Sequence, residues 1–236
     1  MKIFVISLKR SIERRSKIRK QLKELDLDFE YFDAVDGSIE GFIYQNRASS
    51  KKTKLRNGYT LTCNEIACFA SHLSMWEKCI QLNESIIVLE DNCDIGELFS
   101  SNVKSFNSLI EKYKFIKLFS IFQQKTKIIE SINNSLSIVQ LAKRGAGAQG
   151  YIISPETAKK FIDNAVEFIE PVDDYMEKPW RHDVKTYYFN PNVVRRAKIT
   201  STIGSDRKNK KGLTVKDKFI IEVFRLYEQI RYKLYW

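Results

Sequence analysis

At 236 residues, 43% of them apolar and 29% charged, with nine Gly and four Pro, the chain has the make-up of one globular domain with a sizeable core, which excludes collagenous, low-complexity and disordered chains. Forty basic residues against 29 acidic give +11, and the excess is terminal: residues 1–25 hold nine Lys/Arg against two acids and residues 206–236 nine against four, leaving −1 for the 180 residues between. Basic ends suit an anionic partner, whether nucleic acid, a membrane surface or a phosphate-bearing ligand, and no run approaches the roughly 18 apolar residues that a membrane-spanning helix needs.

Met1–Ser7 is a short apolar, β-branched run, and Ile12, Ile18, Leu22 and Leu25 behind it share one helical face, so the chain opens as strand then helix. Phe29–Val35 predicts a second strand, closed by the turn signal Asp36-Gly37. Residues 41–60 are polar, basic and aperiodic, and predict a mobile functional loop. From Thr62 to Gln81 the recurrence of Ile66, Phe69, Ala70, Leu73 and Trp76 at steps of three and four predicts a helix buried on one side. The apolar run Ser85–Leu89 then stops at Glu90-Asp91-Asn92-Cys93-Asp94. A buried strand that ends in acids is how an open α/β sheet sets ligand-binding groups at the carboxyl edge of its strands.

Strands are predicted at Phe115–Phe119, Ser137–Leu141, Tyr151–Ser154 and Thr186–Phe189, and a helix at Pro155–Phe168 with Ser154 as N-cap and Pro155 in its first position. From about Thr214 to Trp236, Phe219, Val223, Leu226, Tyr227, Ile230 and Leu234 line one helical side, interleaved with Lys218, Arg225, Arg231 and Lys233. Residues 204–212 are the one linker-like tract. The expected class is α/β: a single catalytic domain over residues 1–205 with a mixed, mainly parallel sheet flanked by helices, followed by a basic, aromatic helical segment over 206–236.

Gly145-Ala-Gly-Ala-Gln-Gly150 spells GxGxxG, but it runs straight into the strand-like Tyr151-Ile-Ile instead of opening a helix, so it reads as a close-approach loop and not as a dinucleotide site. Glu65, Cys68 and His72 share a helical face at a spacing that suits a metal, although a Cys is more often a small buried hydrophobe. Polar Glu65, Ser71 and His72 on an otherwise apolar helix also suit the wall of a cleft. The acids at 90–94 are the sharpest functional signal, and Asp173-Asp174 form a second acidic pair. Cys63, Cys68, Cys79 and Cys93 include no CxxC, and the N-terminus has no apolar signal stretch, so free thiols in a reducing cytoplasm are expected. The basic runs at 51–54 and 207–211 leave nucleic-acid binding as a competing class, but no nucleic-acid-binding motif accompanies them.

In chain order, Ile3-Phe-Val-Ile-Ser-Leu-Lys-Arg10 with Glu13-Arg-Arg15, Phe32-Asp-Ala-Val-Asp-Gly37, Leu61-Thr-Cys-Asn-Glu-Ile-Ala-Cys-Phe-Ala-Ser-His72, Ile87-Val-Leu-Glu-Asp-Asn92, Gly150-Tyr-Ile-Ile-Ser154 and Pro171-Val-Asp173 together resemble glycosyltransferase family 25. The resemblance implies a GT-A-like fold that moves a sugar, typically galactose, from a nucleotide diphosphate donor with inversion, onto a lipooligosaccharide or lipopolysaccharide core acceptor. It implies donor contacts from Ser7, Leu8, Arg10, Arg14, Glu65, Ser71, His72, Glu90, Asp91 and Asn92, with Arg15 a further candidate for the diphosphate, and acceptor contacts from Gln149, Gly150 and Tyr151. Asp173, with Asp174 beside it, would be the base that deprotonates the acceptor hydroxyl. A hard cation, Mn²⁺ or Mg²⁺, would draw on Asp91, Asn92, Asp94 and His182; the family reads Glu-Asp-Asp where this chain has the neutral Asn92, which lowers the expected affinity. The partners so implied are a nucleotide sugar and a glycolipid acceptor, with no nucleic acid and a homo-oligomer left open; the basic, aromatic C-terminal helix suits either an anionic membrane surface or packing on the catalytic domain or a second subunit. The expected location is the cytoplasm, peripheral on the inner face of a bacterial inner membrane. A degenerate relative that binds sugar without transferring it is the other alternative.

Overall fold

The computed structural model describes residues 1–122, 124–198 and 212–236. The first half alternates as expected: β1 (Lys2–Ser7), α1 (Ile12–Glu24), β2 (Glu30–Asp33), α2 (Ser50–Asn57), α3 (Cys63–Leu82) and β3 (Ile86–Glu90). After β3 the chain turns at Asp91 and Asn92, and Cys93–Ile95 forms a short strand, β4. Then follow α4 (Glu97–Asn102), α5 (Phe106–Tyr113), β5 (Phe115–Lys117), β6 (Thr126–Asn133), β7 (Leu136–Leu141), β8 (Gly150–Ile153), α6 (Pro155–Asn164), α7 (Val172–Met176), α8 (Pro179–His182), β9 (Tyr187–Asn190), β10 (Val194–Arg196) and α9 (Val215–Tyr235).

Among the described residues eight strands form one sheet in the order β2-β1-β3-β8-β5-β9-β7-β6, and β4 pairs with β10 apart from it. The α/β class with a mixed, helix-flanked sheet is what the chain adopts. Parallel pairing, expected to dominate, joins β1 to β2 and β3 and joins β5 to β9, while the other four neighbouring pairs of this sheet are antiparallel. The strands in the middle of the sheet are apolar on both faces because helices cover both. Phe4, Ile6, Ile86, Val88, Tyr151 and Ile153 face the core under α3 and α6, and Ile3, Val5, Ile87, Leu89 and Ile152 face the core under α1, α4 and α5. Period-two alternation then carries Glu90 to the α3 side and Ser7 and Asp91 to the α1 side, which is how neighbouring residues enter different surroundings.

Helix α3 is held at its start by a capping box, in which Thr62 accepts from the Glu65 N–H and the Glu65 carboxylate from the Thr62 N–H, and at its end by Asn83 in the left-handed region at φ 50°. Trp76 and Cys79 on its inner face are fully buried; Trp76 packs against Phe161, Phe69 and Tyr175. Removing such an aromatic side chain costs about 3–5 kcal/mol.

Residues 41–60 are not the mobile loop that their composition suggests. They contain a 3₁₀ turn at Gln45–Arg47 and α2, ended by Gly58 at φ 77°. Only Thr53 of α2 is buried, so no apolar period marks this helix in the sequence. It packs on α9, where a Cβ at Gly58 would lie 2.7 Å from Ile221. The proposed boundary at 205/206 and the basic run 207–211 lie outside the described residues, as does the linker-like tract except for Gly212.

Candidate active site

Two hollows adjoin at the carboxyl edge of β1 and β3. The first encloses about 710 Å³ including its mouth and is lined by Ile6–Leu8, Arg10, Ser11 and Arg14 after β1, by Ala34, Val35 and Gly37 after β2, by Asn64, Ala67, Cys68, Ser71 and His72 of α3, and by Glu90–Asn92 after β3. The second, about 560 Å³, shares Cys68, Glu90 and Asn92 with it and adds Glu65, Ile121, Gly147–Gln149, Pro171–Asp173 and Arg196. The result is one cleft with two ends and a common wall at Glu90 and Asn92.

Of the residues expected to bind donor, Ser7, Leu8, Arg10, Arg14, Ser71, His72, Glu90, Asp91 and Asn92 all line the first hollow, and Glu65 lines the second. The buried Asp91 carboxylate accepts from Ser7 Oγ at 2.6 Å and from Arg14 at 3.2 Å. Burial nevertheless raises its pKa above the ordinary aspartate value, with Ser7 and Arg14 opposing that rise. Arg10 pairs with Asp36 across the mouth. Arg15 does not line the hollow; it donates to the Ser7 carbonyl and to Asp33, both at 2.7 Å, and lies 4.7 Å over the Tyr31 ring, so it braces β1 against β2.

Glu90 is held by a chain of buried side chains. Trp76 Nε1–H donates to the Tyr151 hydroxyl at 3.1 Å, the hydroxyl lies 2.9 Å from His72 Nδ1, and His72 Nε2 lies 3.3 Å from Glu90 Oε1. Indole N–H only donates, here to the Tyr151 oxygen, and a carboxylate only accepts, so the chain runs in one sense when the Tyr151 O–H donates to His72 Nδ1 and the His72 Nε2–H donates to Glu90. Cys68, His72 and Glu90 do each bring one ligand atom within 4.8 Å of the others. The hydrogen bonds account for the approach of His72 to Glu90. Glu65, the acid with metal-like spacing in sequence, is instead the partner of Thr62 in the capping box.

The four residues expected to share a hard cation do not converge. Both Asp91 oxygens are engaged as above, and Asp94 turns to Lys17 at 2.6 Å and Gln21 at 3.1 Å on α1. His182 is buried beside Phe161 and Tyr175, where its Nε2 donates to the Tyr175 carbonyl and its Nδ1 accepts from the Val184 N–H. That environment lowers its pKa to about 4, chiefly through burial. Among the described residues Asn92 Oδ1 is buried without a hydrogen-bond partner, but one neutral oxygen and an occupied carboxylate do not make the expected four-ligand set.

In the second hollow Asp173 is the carboxylate of the acidic pair that faces the cleft; its Oδ2 accepts from the Gly147 N–H at 2.9 Å. Asp174 turns to Arg144 instead. Gln149 lines this hollow, but Gly150 and Tyr151 lie in β8 and do not reach an acceptor: Tyr151 is fully buried, and a Cβ at Gly150 would meet Leu118 and Leu89 at 3.2 Å. Their role is to let β8 pack and to hold His72.

The loop before β8 rests on a buried ion pair absent from the sequence reading. Lys117 and Glu177 pair with side chains 0% and 1% exposed. Glu177 Oε2 accepts from the N–H groups of Gly145 and Ala146 at 2.7 and 3.1 Å, while Lys117 donates to the Ala146 carbonyl at 3.3 Å. Gly145 passes so close to Tyr188 that a Cβ would sit 2.8 Å from its ring, and Gly147 has φ 83°. GxGxxG is thus the close-approach loop that its context indicates. The one sequence signal for the pair is a lysine inside the apolar run Phe115–Phe119.

The family model "Glycosyltransferase family 25 (LPS biosynthesis protein)" matches residues 1–176. The lipooligosaccharide biosynthesis protein lic2B of Haemophilus influenzae is 32% identical over 171 residues, which are 66% of this chain and 60% of that protein. A glycosyltransferase 25 family member of Aedes aegypti is 29% identical over 187 residues, and human procollagen galactosyltransferase 2 is 27% identical over 199. These matches take in 74% and 78% of this chain but only 30% and 31% of the two relatives, so the chain spans about a third of their length. Among solved structures, a glycosyltransferase involved in glycosylation of the major capsid of PBCV-1 superposes with a TM-score of 0.48 at 8% identity, covering 95% of this chain and 98% of that one.

Proposed function

We propose, since the chain belongs to glycosyltransferase family 25, that it transfers a hexosyl group from a uridine diphosphate sugar to a hydroxyl of a lipooligosaccharide core acceptor, inverting the anomeric carbon. Galactose is the sugar favoured by the names of its relatives. The observation that carries this reading is the two-ended cleft: Arg10, Arg14 and the carboxyl edge of β1 and β3 line one end, Asp173 lines the other, and Glu90 and Asn92 stand between.

In this reading the nucleotide diphosphate lies in the first hollow and the acceptor in the second. The acceptor oxygen attacks the anomeric carbon from the face opposite the diphosphate and forms the new C–O bond. The old bond breaks with its electron pair going to the diphosphate, and Asp173 takes the hydroxyl proton. Arg10 and Arg14 meet the charge that grows on the leaving group. Glu90, oriented by His72, is placed to hold donor hydroxyls at the shared wall. No step is assigned to a metal, because the expected ligands do not assemble.

The test is a panel of uridine diphosphate sugars with and without Mn²⁺, read by melting temperature and then by transfer. A bound donor at 100 times its Kd adds about 2.7 kcal/mol, or roughly 5–11 °C for a chain of this size. Asp173→Asn is expected to lower turnover at least about 100-fold with donor binding nearly intact. Near-normal turnover removes Asp173 from the role. A donor-induced shift without transfer or hydrolysis would mark a sugar-binding relative, and no shift with any donor, together with salt-sensitive binding of DNA or RNA, would favour the nucleic-acid class.

A further inference from the structure

We propose that α9 docks on an anionic lipid bilayer through the face that it turns away from the domain. This goes beyond the sugar-transfer reading and does not depend on it. The helix is 21 residues long, and among the described residues no helix is long and apolar enough to cross a membrane. It has two apolar sides with different fates.

The inner side is fixed to the domain. Ile221 is buried over Gly58, Phe224 lies 5.3 Å from the Arg56 guanidinium, Glu228 pairs with the buried Lys178, and the Tyr232 hydroxyl donates to the Glu177 carbonyl at 2.7 Å. Through Glu177 this face is one residue away from the Gly145–Gly147 loop and the Asp173 end of the cleft. The outer side is bare: Val215, Phe219, Val223, Leu226, Ile230 and Leu234, at helical steps of four and three, are between 50% and 84% exposed. A stripe of that length left in water is a site of association rather than ordinary surface scatter.

Charge identifies the occupant. At about 100° per residue, Lys216 flanks the stripe on one shoulder and Lys218 and Lys233 on the other, all exposed. The acids are drawn inward or neutralised: Asp217 closes the capping box with Thr214, Glu228 goes to Lys178, and Glu222 pairs with Arg225. Apolar residues between basic shoulders match acyl chains beneath anionic headgroups, where lysine stems reach outward to phosphate. A second copy is the poorer fit. The seam Phe219-Val223-Leu226-Ile230 continues at Lys216 and Lys233, so it runs roughly two heptads where a coiled coil sustains at least about three.

The experiment sediments the full chain with vesicles of phosphatidylcholine, alone or mixed with phosphatidylglycerol, and records its mass in solution without lipid. Partition onto the anionic vesicles is expected to exceed that onto the neutral ones at least about tenfold and to fall with salt. Phe219→Ser/Leu226→Ser/Ile230→Ser and, separately, Lys216→Glu/Lys218→Glu/Lys233→Glu are each expected to lower it at least about tenfold while keeping the wild-type melting temperature, since these side chains face solvent. Absence of wild-type binding to the anionic vesicles, or unaltered binding in the charge-reversed chain, overturns the proposal. So does a dimer that the serine substitutions dissociate and that binds no vesicles, which would assign the face to a second copy. Neither outcome bears on sugar transfer to a water-soluble acceptor.

Discussion

Glu177→Gln isolates the physics that holds the Asp173 end of the cleft. The carboxylate performs two tasks, countering the buried Lys117 ammonium and receiving the N–H groups of Gly145 and Ala146. Glutamine keeps the size but not the charge, and it cannot do both: if its oxygen faces the two N–H groups its NH₂ meets Lys117, and if it turns around its NH₂ meets the N–H groups. Removing one partner of a buried ion pair leaves an uncompensated charge and costs about 3–5 kcal/mol. For a chain of this size that is a melting temperature lower by roughly 6–20 °C. The assay is thermal and urea unfolding of the wild type, Glu177→Gln and Lys117→Met/Glu177→Gln. The double variant is expected to recover at least half of the loss, because the stranded ammonium is gone. If Glu177→Gln melts within about 2 °C of wild type, or if the double variant is worse than the single, the pair does not carry the loop as argued.

Tyr151→Phe strands the indole N–H of Trp76 and deprives His72 Nδ1 of its donor; a cost of about 1–3 kcal/mol is expected in urea unfolding, and adding Trp76→Phe should cost less than the sum of the two single changes. His182 gives the pH dependence. Its folded pKa of about 4 lies below the 6.5 of an exposed histidine, so the unfolded chain takes up the proton first as pH falls. The stability in question is complete above about pH 6.5 and is lost as pH drops towards 4, roughly 3 kcal/mol in all. Unfolding free energies at pH 7 and near pH 4 should therefore differ less in His182→Asn than in wild type, and an equal difference would show that His182 does not titrate in this way.

The elements read correctly declare themselves over a few residues: the apolar runs of β1 and β3, the three-and-four step of α3, the proline-led start of α6. The first hollow followed, since Ser7–Arg14 and Glu90–Asn92 sit at the ends of parallel strands, and parallel neighbours bring such ends together. Of the missed elements, α5 carries such a signal in Phe106, Leu109, Ile110 and Tyr113, and the following lack it. Helix α2 buries one threonine, β6 is mostly exposed, and β4 and β10 have three residues each.

What the sequence alone determined is thus the α/β class, the run of carboxyl-edge acids and the family resemblance, all of which rest on local patterns or their order along the chain. Tertiary structure alone decided which acid does what. Asp173 faces the cleft while Asp174 meets Arg144, Glu90 meets His72 while Asp91 meets Arg14, and Asp94 leaves for α1. It also decided that Tyr151 supports the site from within and that Lys117 and Glu177, 60 residues apart in the chain, hold one loop. The reason is geometric: adjacent residues in a strand point to opposite faces, and the partner that each one meets depends on strand order and helix placement, which no local spacing encodes.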